Sequence, residues 1–452
     1  MESGRWKVEG GAGELAELGQ TWSVPQVAKI PGYSDTSGNP KPVLIFGAGY
    51  DDSKDTQGVS AAADADSMGR GLYILDMETG SVVWSLTHDG GSGTHELAEP
   101  GLDHSVPATV TTVDSNGDGK IDRVYWPDTG GQIWRLDMPW SDTLGQNWSW
   151  YKVASLNGAV NGTNTADISD DRRFFNQIDF VPSTGPVSVC EKYASTTPTW
   201  GVCATDSGYT TLDMGYDALL IGSGDRTNPL ATDVQNRFYM IRDLGISTYE
   251  TALGTCDLTQ AVDAVNFDFR CLGTLTDSEL ADLTQYSFKD NEGDELGDAD
   301  FNLAEAEYSA DQEALRKKAG WRIDLQASGE KALSASVSLK GTVFFTTFTP
   351  GQTVQGQCGV EYGAGLGRLY MVDMHDARGR LLDEAEDEEA SGSRFRTLGS
   401  VLPDTPSIHV GEEGDMNLIF PSGGDDDDNI ENSNVSLPAP QGVYWYQSLE
   451  VN

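Results

Sequence analysis

One aromatic-centred segment recurs along the chain and limits its fold more than any other feature. The copies are Gly71-Leu72-Tyr73-Ile74-Leu75-Asp76, Gln132-Ile133-Trp134-Arg135-Leu136-Asp137, Arg237-Phe238-Tyr239-Met240-Ile241-Arg242-Asp243, Arg368-Leu369-Tyr370-Met371-Val372-Asp373 and Gly442-Val443-Tyr444-Trp445-Tyr446. Each reads as a strand, being rich in β-branched and aromatic residues and bounded by turn residues. Most copies follow an apolar run that closes on glycine or a turn: Leu44-Ile45-Phe46-Gly47, Val124-Tyr125-Trp126-Pro127 and Val343-Phe344-Phe345-Thr346, with Leu418-Ile419-Phe420-Pro421 ahead of the last. Those runs are continuously apolar rather than alternating, which predicts strands covered on both faces.

Ahead of the runs stand Ser-x-Pro-x-Val pieces or parts of them, at Ser23 to Val27, Ser105 to Val110, Ser334 to Val337 and Thr405 to Val410. They read as short first strands. After the first aromatic copy, Met77-Glu78-Thr79-Gly80 makes a turn into a fourth strand at Ser81-Val82-Val83-Trp84. Gly320-Trp321-Arg322-Ile323-Asp324-Leu325 with Ser328-Gly329-Glu330 reads as another hairpin from a third strand to a fourth.

A four-stranded unit repeated along the chain cannot bury both faces alone, and stacking the units around an axis does so. The sequence therefore predicts an all-β chain, a β-propeller with five clear blades and six or seven in all. The 452 residues form one domain, because blades pack mainly on their neighbours. A helical and acidic insertion is expected at 276–319, where Thr276-Asp277-Ser278-Glu279 has capping-box spacing and Leu303 to Lys318 is rich in helix formers. Acidic loops are expected at Asp290 to Asp300, Asp383 to Glu389 and 425–435.

The chain carries 71 acidic against 29 basic residues, a formal charge of −42, with no basic patch to neutralise phosphates. Nucleic acid is therefore not expected as a partner, and an anionic membrane surface is a poor one. No apolar run approaches the ~20 residues of a membrane-spanning helix, so no membrane insertion is expected. Met1-Glu2-Ser3-Gly4-Arg5 has neither the basic nor the apolar region of a signal peptide, which leaves a cytosolic protein or a piece of a longer exported precursor. The cysteines, Cys190, Cys203, Cys256, Cys271 and Cys358, are too dispersed for a metal knuckle. Cys190 with Cys203 and Cys256 with Cys271 are local enough to staple loops in an oxidising compartment.

One segment carries chemistry. Asp114-Ser115-Asn116-Gly117-Asp118-Gly119-Lys120-Ile121-Asp122 sets oxygen side chains at loop positions one, three, five and nine, a glycine at six and a backbone carbonyl, that of Lys120, at seven. This is the ligand order of an EF-hand calcium loop, with oxygens for a hard cation and a glycine at the sharp bend. Position twelve holds Tyr125 instead of glutamate, so Asp122 would supply the closing carboxylate. The loop joins a first strand to a second and is expected as a Ca²⁺-filled β-hairpin. No catalytic set emerges: the histidines, His88, His95, His104, His375 and His409, include no HExxH, and no GxSxG elbow or phosphate loop is present. Gly222-Ser223-Gly224-Asp225 opens into a loop rather than a helix.

These segments resemble the PilY/PilC family of type IV pilus-tip adhesins and biogenesis factors, in its C-terminal domain. The resemblance rests on Leu18 to Pro25, Leu44 to Asp52, the Asp114 to Asp122 loop running into Asp128-Thr129-Gly130-Gly131-Gln132-Ile133-Trp134-Arg135, Leu219 to Arg226 with its GSGDR stretch, and Gly320-Trp321. It implies a modified, seven-bladed, quinoprotein-like propeller, exported through the periplasm to the cell surface and pilus tip. There it would prime pilus assembly with minor pilins, oppose retraction, and contact a surface or host-cell receptor, without enzymatic activity. It also implies that Asp114, Asn116, Asp118, the Lys120 carbonyl and Asp122 bind Ca²⁺ and so tune extension and retraction. The variable N-terminal region usual in the family is absent, which fits a fragment, and no Arg-Gly-Asp tripeptide is present. Two other readings stay open: a PQQ-dependent dehydrogenase, suggested by the Tyr73 to Trp84 repeat although no two cysteines are adjacent, and a calcium-stabilised extracellular binding propeller unconnected with pili.

Overall fold

The structure is a computed structural model. It describes residues 6–55, 65–158, 168–193, 200–204, 208–246, 268–285, 310–351, 353–356, 359–362, 365–380, 394–400, 402–410, 416–421 and 430–434. The expected acidic stretches at Asp290 to Asp300, Asp383 to Glu389 and Asp425 to Asp428, and the last aromatic copy at Gly442 to Tyr446, lie outside the described residues.

The chain is nearly all β and builds its sheets in sequence order, as a propeller does. The first contains β1 (Gln26–Ala28), β2 (Val43–Gly47), β3 (Gly71–Asp76) and β4 (Val82–Thr87) in antiparallel succession, with β5 (Glu96–Ala98) parallel to β4. The second contains β6 (Thr111–Val113), β7 (Arg123–Pro127), β8 (Gln132–Asp137) and β9 (Ser149–Ser155). In the third, β10 (Asp179–Cys190), β11 (Tyr209–Gly222), β12 (Arg237–Asp243) and β14 (Gly320–Asp324) are antiparallel, and β13 (Ala281–Asp282) lies parallel on β14. The fourth contains β15 (Val337–Leu339), β16 (Thr342–Thr349), β19 (Leu366–Asp373) and β20 (Phe395–Gly399), with a hairpin of β17 (Thr353–Gly356) and β18 (Gly359–Tyr362) between its middle strands. A three-stranded sheet follows, β21 (Ser407–Val410), β22 (Met416–Pro421) and β23 (Ile430–Asn434).

Consecutive sheets share their cores. Ile45 and Trp84 of the first meet Val124, Trp126 and Trp134 of the second in one buried cluster. Tyr125, Ile133 and Val153 of the second join Leu219, Tyr239 and Trp321 of the third and Val343 and Phe345 of the fourth in another. Phe238 and Phe345 stack across the third seam with centroids 3.8 Å apart. Among the described residues the second strands β2, β7 and β16 are covered on both faces, as their unbroken apolar runs predict; all of β7 is buried.

The aromatic segments fall where expected, as the third strands β3, β8, β12 and β19. Three expectations need correction. Two of the four Ser-x-Pro pieces lead into the first strands rather than forming them, since β6 begins only at Thr111 and β15 at Val337, whereas β1 begins within its piece and β21 lies inside Thr405 to Val410. Their serines are clips: Ser23 Oγ accepts the Gly47 N–H at 3.1 Å, Ser105 Oγ meets Thr129 Oγ1 at 2.9 Å and Ser334 Oγ meets Thr346 Oγ1 at 2.6 Å. Gly320 to Asp324 is a fourth strand, paired with β12, and Gly329 turns the chain towards the next sheet. Residues 430–434, assigned to an acidic loop, form strand β23.

The insertion is less helical than its composition suggests. Thr276 and Glu279 do pair, with the Thr276 N–H donating to Glu279 Oε2 at 2.8 Å, yet they open only a single 3-10 turn. The described helix is α1 (Ala310–Arg316). Cys190 and Cys203 form a disulfide, and Cys271 is also disulfide-bonded.

Candidate functional site

Four antiparallel strands in succession put the first-to-second and third-to-fourth connections at one end of a sheet. The second-to-third connections and the passages between sheets lie at the other end. The Asp114 to Asp122 loop, between β6 and β7, is at the first end. Its base is the hairpin itself: the Asp122 N–H donates to the Val113 carbonyl at 3.0 Å, and the Met138 N–H to the Asp122 carbonyl at 2.7 Å.

Within the loop Gly117 and Gly119 take positive φ of 75° and 83°, a region that side chains disfavour, and the turn wraps around Asp114. Asp114 Oδ1 accepts the Gly117 N–H at 2.7 Å, and Oδ2 accepts the Gly119 N–H at 2.8 Å. Asn116 Oδ1 accepts the Asp118 N–H at 2.9 Å and Asp118 Oδ1 the Lys120 N–H at 2.8 Å. Asp122 is buried, and both its oxygens face Ser115, with the Ser115 hydroxyl donating at 2.8 Å. Burial raises the Asp122 carboxyl above its usual value, the Ser115 hydrogen bonds and Arg123 oppose the rise, and the nearby Asp114 charge adds to it.

The donor set is the hard-oxygen set that Ca²⁺ takes. In this conformation, however, the side-chain oxygens serve the loop's own N–H groups. Among the described residues no three His, Cys, Asp or Glu side chains are gathered as a ligand set. A carboxylate or carboxamide oxygen keeps a second lone pair after accepting one hydrogen bond, so Asp114 Oδ2, Asn116 Oδ1 and Asp118 retain acceptor capacity, whereas Asp114 Oδ1 already accepts from both Gly117 and Asp118.

Directly behind the loop lies a buried ionic cluster that sequence reasoning missed. Arg123, next to Asp122, donates from Nε to Asp137 Oδ1 at 3.1 Å and from Nη1 to Asp217 of the third sheet. Arg135 donates from Nε to Asp137 Oδ2 at 2.9 Å and from Nη1 to Asp243 Oδ2 at 2.6 Å. Tyr151 donates to Asp243 Oδ1 at 2.9 Å, and Tyr125 Oη lies 2.8 Å from both Asp217 Oδ2 and Asp243 Oδ2. The signal available in the sequence was an arginine and a terminal aspartate inside otherwise apolar strands. The same terminal aspartate tightens other sheets: Asp76 Oδ1 accepts the Glu78 and Thr79 N–H groups, and Asp373 Oδ1 that of His375 at 2.7 Å.

The opposite end holds a cavity of about 400 Å³, lined by Lys54, Asp55, Asp171, Arg173, Asp225 and Lys331 among others. Its three cations are each engaged within the protein. Lys54 pairs with Asp66 at 2.9 Å and lies 3.2 Å from His104 Nδ1. Burial and the Lys54 ammonium push the His104 imidazole down to about 3, so the neutral ring accepts from Lys54. Arg173 pairs with Asp171 and Asp225, and Lys331 donates to the carbonyls of Asn228, Pro229 and Ala231.

No family model and no curated protein sequence matches the chain. Among solved structures it is similar to the crystal structure of the Pseudomonas aeruginosa PilY1 C-terminal domain, at 13% identity and a TM-score of 0.49, over 90% of this chain and 72% of that one. A likeness at this level transfers neither residues nor activity.

Proposed function

We propose that this chain is a non-enzymatic, calcium-binding propeller of a type IV pilus, acting at the pilus tip on the cell surface. In this reading it assists assembly with minor pilins, contacts a surface or host-cell receptor, and sets the balance between extension and retraction through calcium. The observation that carries the reading is the Asp114 to Asp122 loop: five potential oxygen ligands on one tight hairpin, leading into β7 and the Gly-Gly-Gln-Ile-Trp-Arg strand β8. That pairing of loop and strand is also the most specific part of the family resemblance.

In this proposal Asp114, Asn116, Asp118, the Lys120 carbonyl and Asp122 hold the ion, which supplies positive charge to a turn carrying three carboxylates. The chain's part is to exchange the present hydrogen bonds of Asp118 and Asp122 for the cation. Crowded carboxylates repel one another when the ion is absent, so calcium favours a tighter hairpin and biases whatever that end of the propeller touches. The test is an Asp114→Ala and Asp118→Ala double variant in a piliated host that depends on this protein. Loss of surface pili, regained when the retraction motor is deleted, is the expected result; normal pilus number and twitching would overturn the proposal.

A further inference from the structure

Almost every buried arginine described above has a carboxylate; Arg242 does not. It is 5% exposed, and its Nε and Nη1 are buried without a hydrogen-bond partner. Its sequence neighbour Asp243 is taken by Arg135, Tyr125 and Tyr151. The guanidinium lies over the Tyr216 ring, 5.5 Å from its centroid, and the other charged group acting on it is a second cation, Arg316. Burial pushes the Arg242 guanidinium below its usual range, with Tyr216 pulling the other way.

A second orphaned donor belongs to the same place. Trp200 Nε1 is buried without a partner, and Trp200 and Arg242 both line a cavity of about 20 Å³ with Tyr151, Phe269, Asp243 and Arg270. The two other charged groups there are already paired, Asp243 with Arg135 and Arg270 with Asp268. The cavity has the space of one or two water molecules. A carboxylate brings two oxygens, the number of such positions that this space offers. A buried cation is stable when paired with an opposite charge and hydrogen-bonded, and no carboxylate among the described residues pairs with Arg242.

We infer that the cavity lined by Arg242 and Trp200 is a binding site for a small carboxylate, supplied either as a free anion or as the carboxylate of a side chain or chain terminus on a partner. The site is at the same end of the propeller as the Asp114 loop, since it lies where β12 leaves for β14. It is a different site from that loop and does not depend on calcium.

The test uses sodium formate on the whole chain, with ionic strength held constant by bulky isethionate. Formate at tens of millimolar should raise the wild-type melting temperature by about 1–3 °C through binding to the native state alone. Arg242→Met should fold with equal or greater stability, because it removes an unpaired buried charge, and should lose the formate response. In ¹H–¹⁵N spectra the indole signal missing from Trp200→Phe should move with formate in the wild type and stay fixed in Arg242→Met. A short acidic peptide that reproduces the shift, with its amidated counterpart inactive, assigns the carboxylate to a partner; a response to formate alone assigns it to a free anion. Equal formate responses in wild type and Arg242→Met, or an unmoved Trp200 indole, would mean that water fills the cavity and would overturn the inference.

Discussion

Arg135→Met is the sharpest perturbation of the seam between the second and third sheets. Arg135 is fully buried and bridges Asp137 in its own strand to Asp243 across the seam. Burial works against the charge of Asp243, and Arg135, followed by Arg123, overcomes it, so the carboxyl sits below its usual 3.8. Removing one partner of a buried pair costs about 3–5 kcal/mol. Asp243 would keep the donors of Tyr125, Tyr151 and the Gly245 N–H, which places the loss near the lower figure. For a chain of 452 residues that is a fall of roughly 3 °C in melting temperature.

The pH dependence separates charge from packing. With its carboxyl depressed, Asp243 contributes stability that is present above pH 4 and lost as pH falls through the folded value. Without Arg135 the buried carboxyl moves up instead, and its ionised form opposes folding. The gap between variant and wild type should therefore be widest at pH 8 and narrow towards pH 4, in melts followed by β-sheet circular dichroism. A gap of equal size at both pH values, or a loss under about 1 kcal/mol, would refute the assignment of Arg135 as an electrostatic weld.

Two further outcomes follow from single groups. Burial raises Asp179 to about 6 against the hydrogen bond from Ser338, so its ionised form costs stability above pH 6 and nothing below pH 4. Asp179→Asn should gain ~1–2 kcal/mol at pH 8, given its partial exposure, and show no gain at pH 4. The Cys190–Cys203 disulfide closes a loop of sequence separation 13. Replacing both cysteines by serine should cost about 3 kcal/mol, measured as a lower melting temperature and a smaller further fall in reductant than the wild type shows, the Cys271 disulfide remaining.

The fold was legible where strands repeat. The aromatic third strands and the apolar second strands are long enough and regular enough that β3, β7, β8 and β12 begin and end at or within a residue of their patterns. The first strands were not, because they are held by serine clips to neighbouring strands rather than by a pattern of their own. The hairpin assignment at Gly320 failed for a related reason: β14 pairs with β12 across a connection of more than seventy residues, a distance over which local pattern carries no pairing information. The Asp114 loop could be found in sequence because its ligands are consecutive. The Arg123, Arg135, Asp217 and Asp243 cluster could not, because its members come from different strands and meet only once two sheets pack.

Calcium titration calorimetry on the whole chain tests the central claim most directly. The account predicts one calcium site in the wild type, with uptake abolished by Asp118→Ala and by Asp122→Ala while both variants keep the wild-type β-sheet spectrum. Calcium uptake that is absent from the wild type, or unchanged in these well-folded variants, would contradict it.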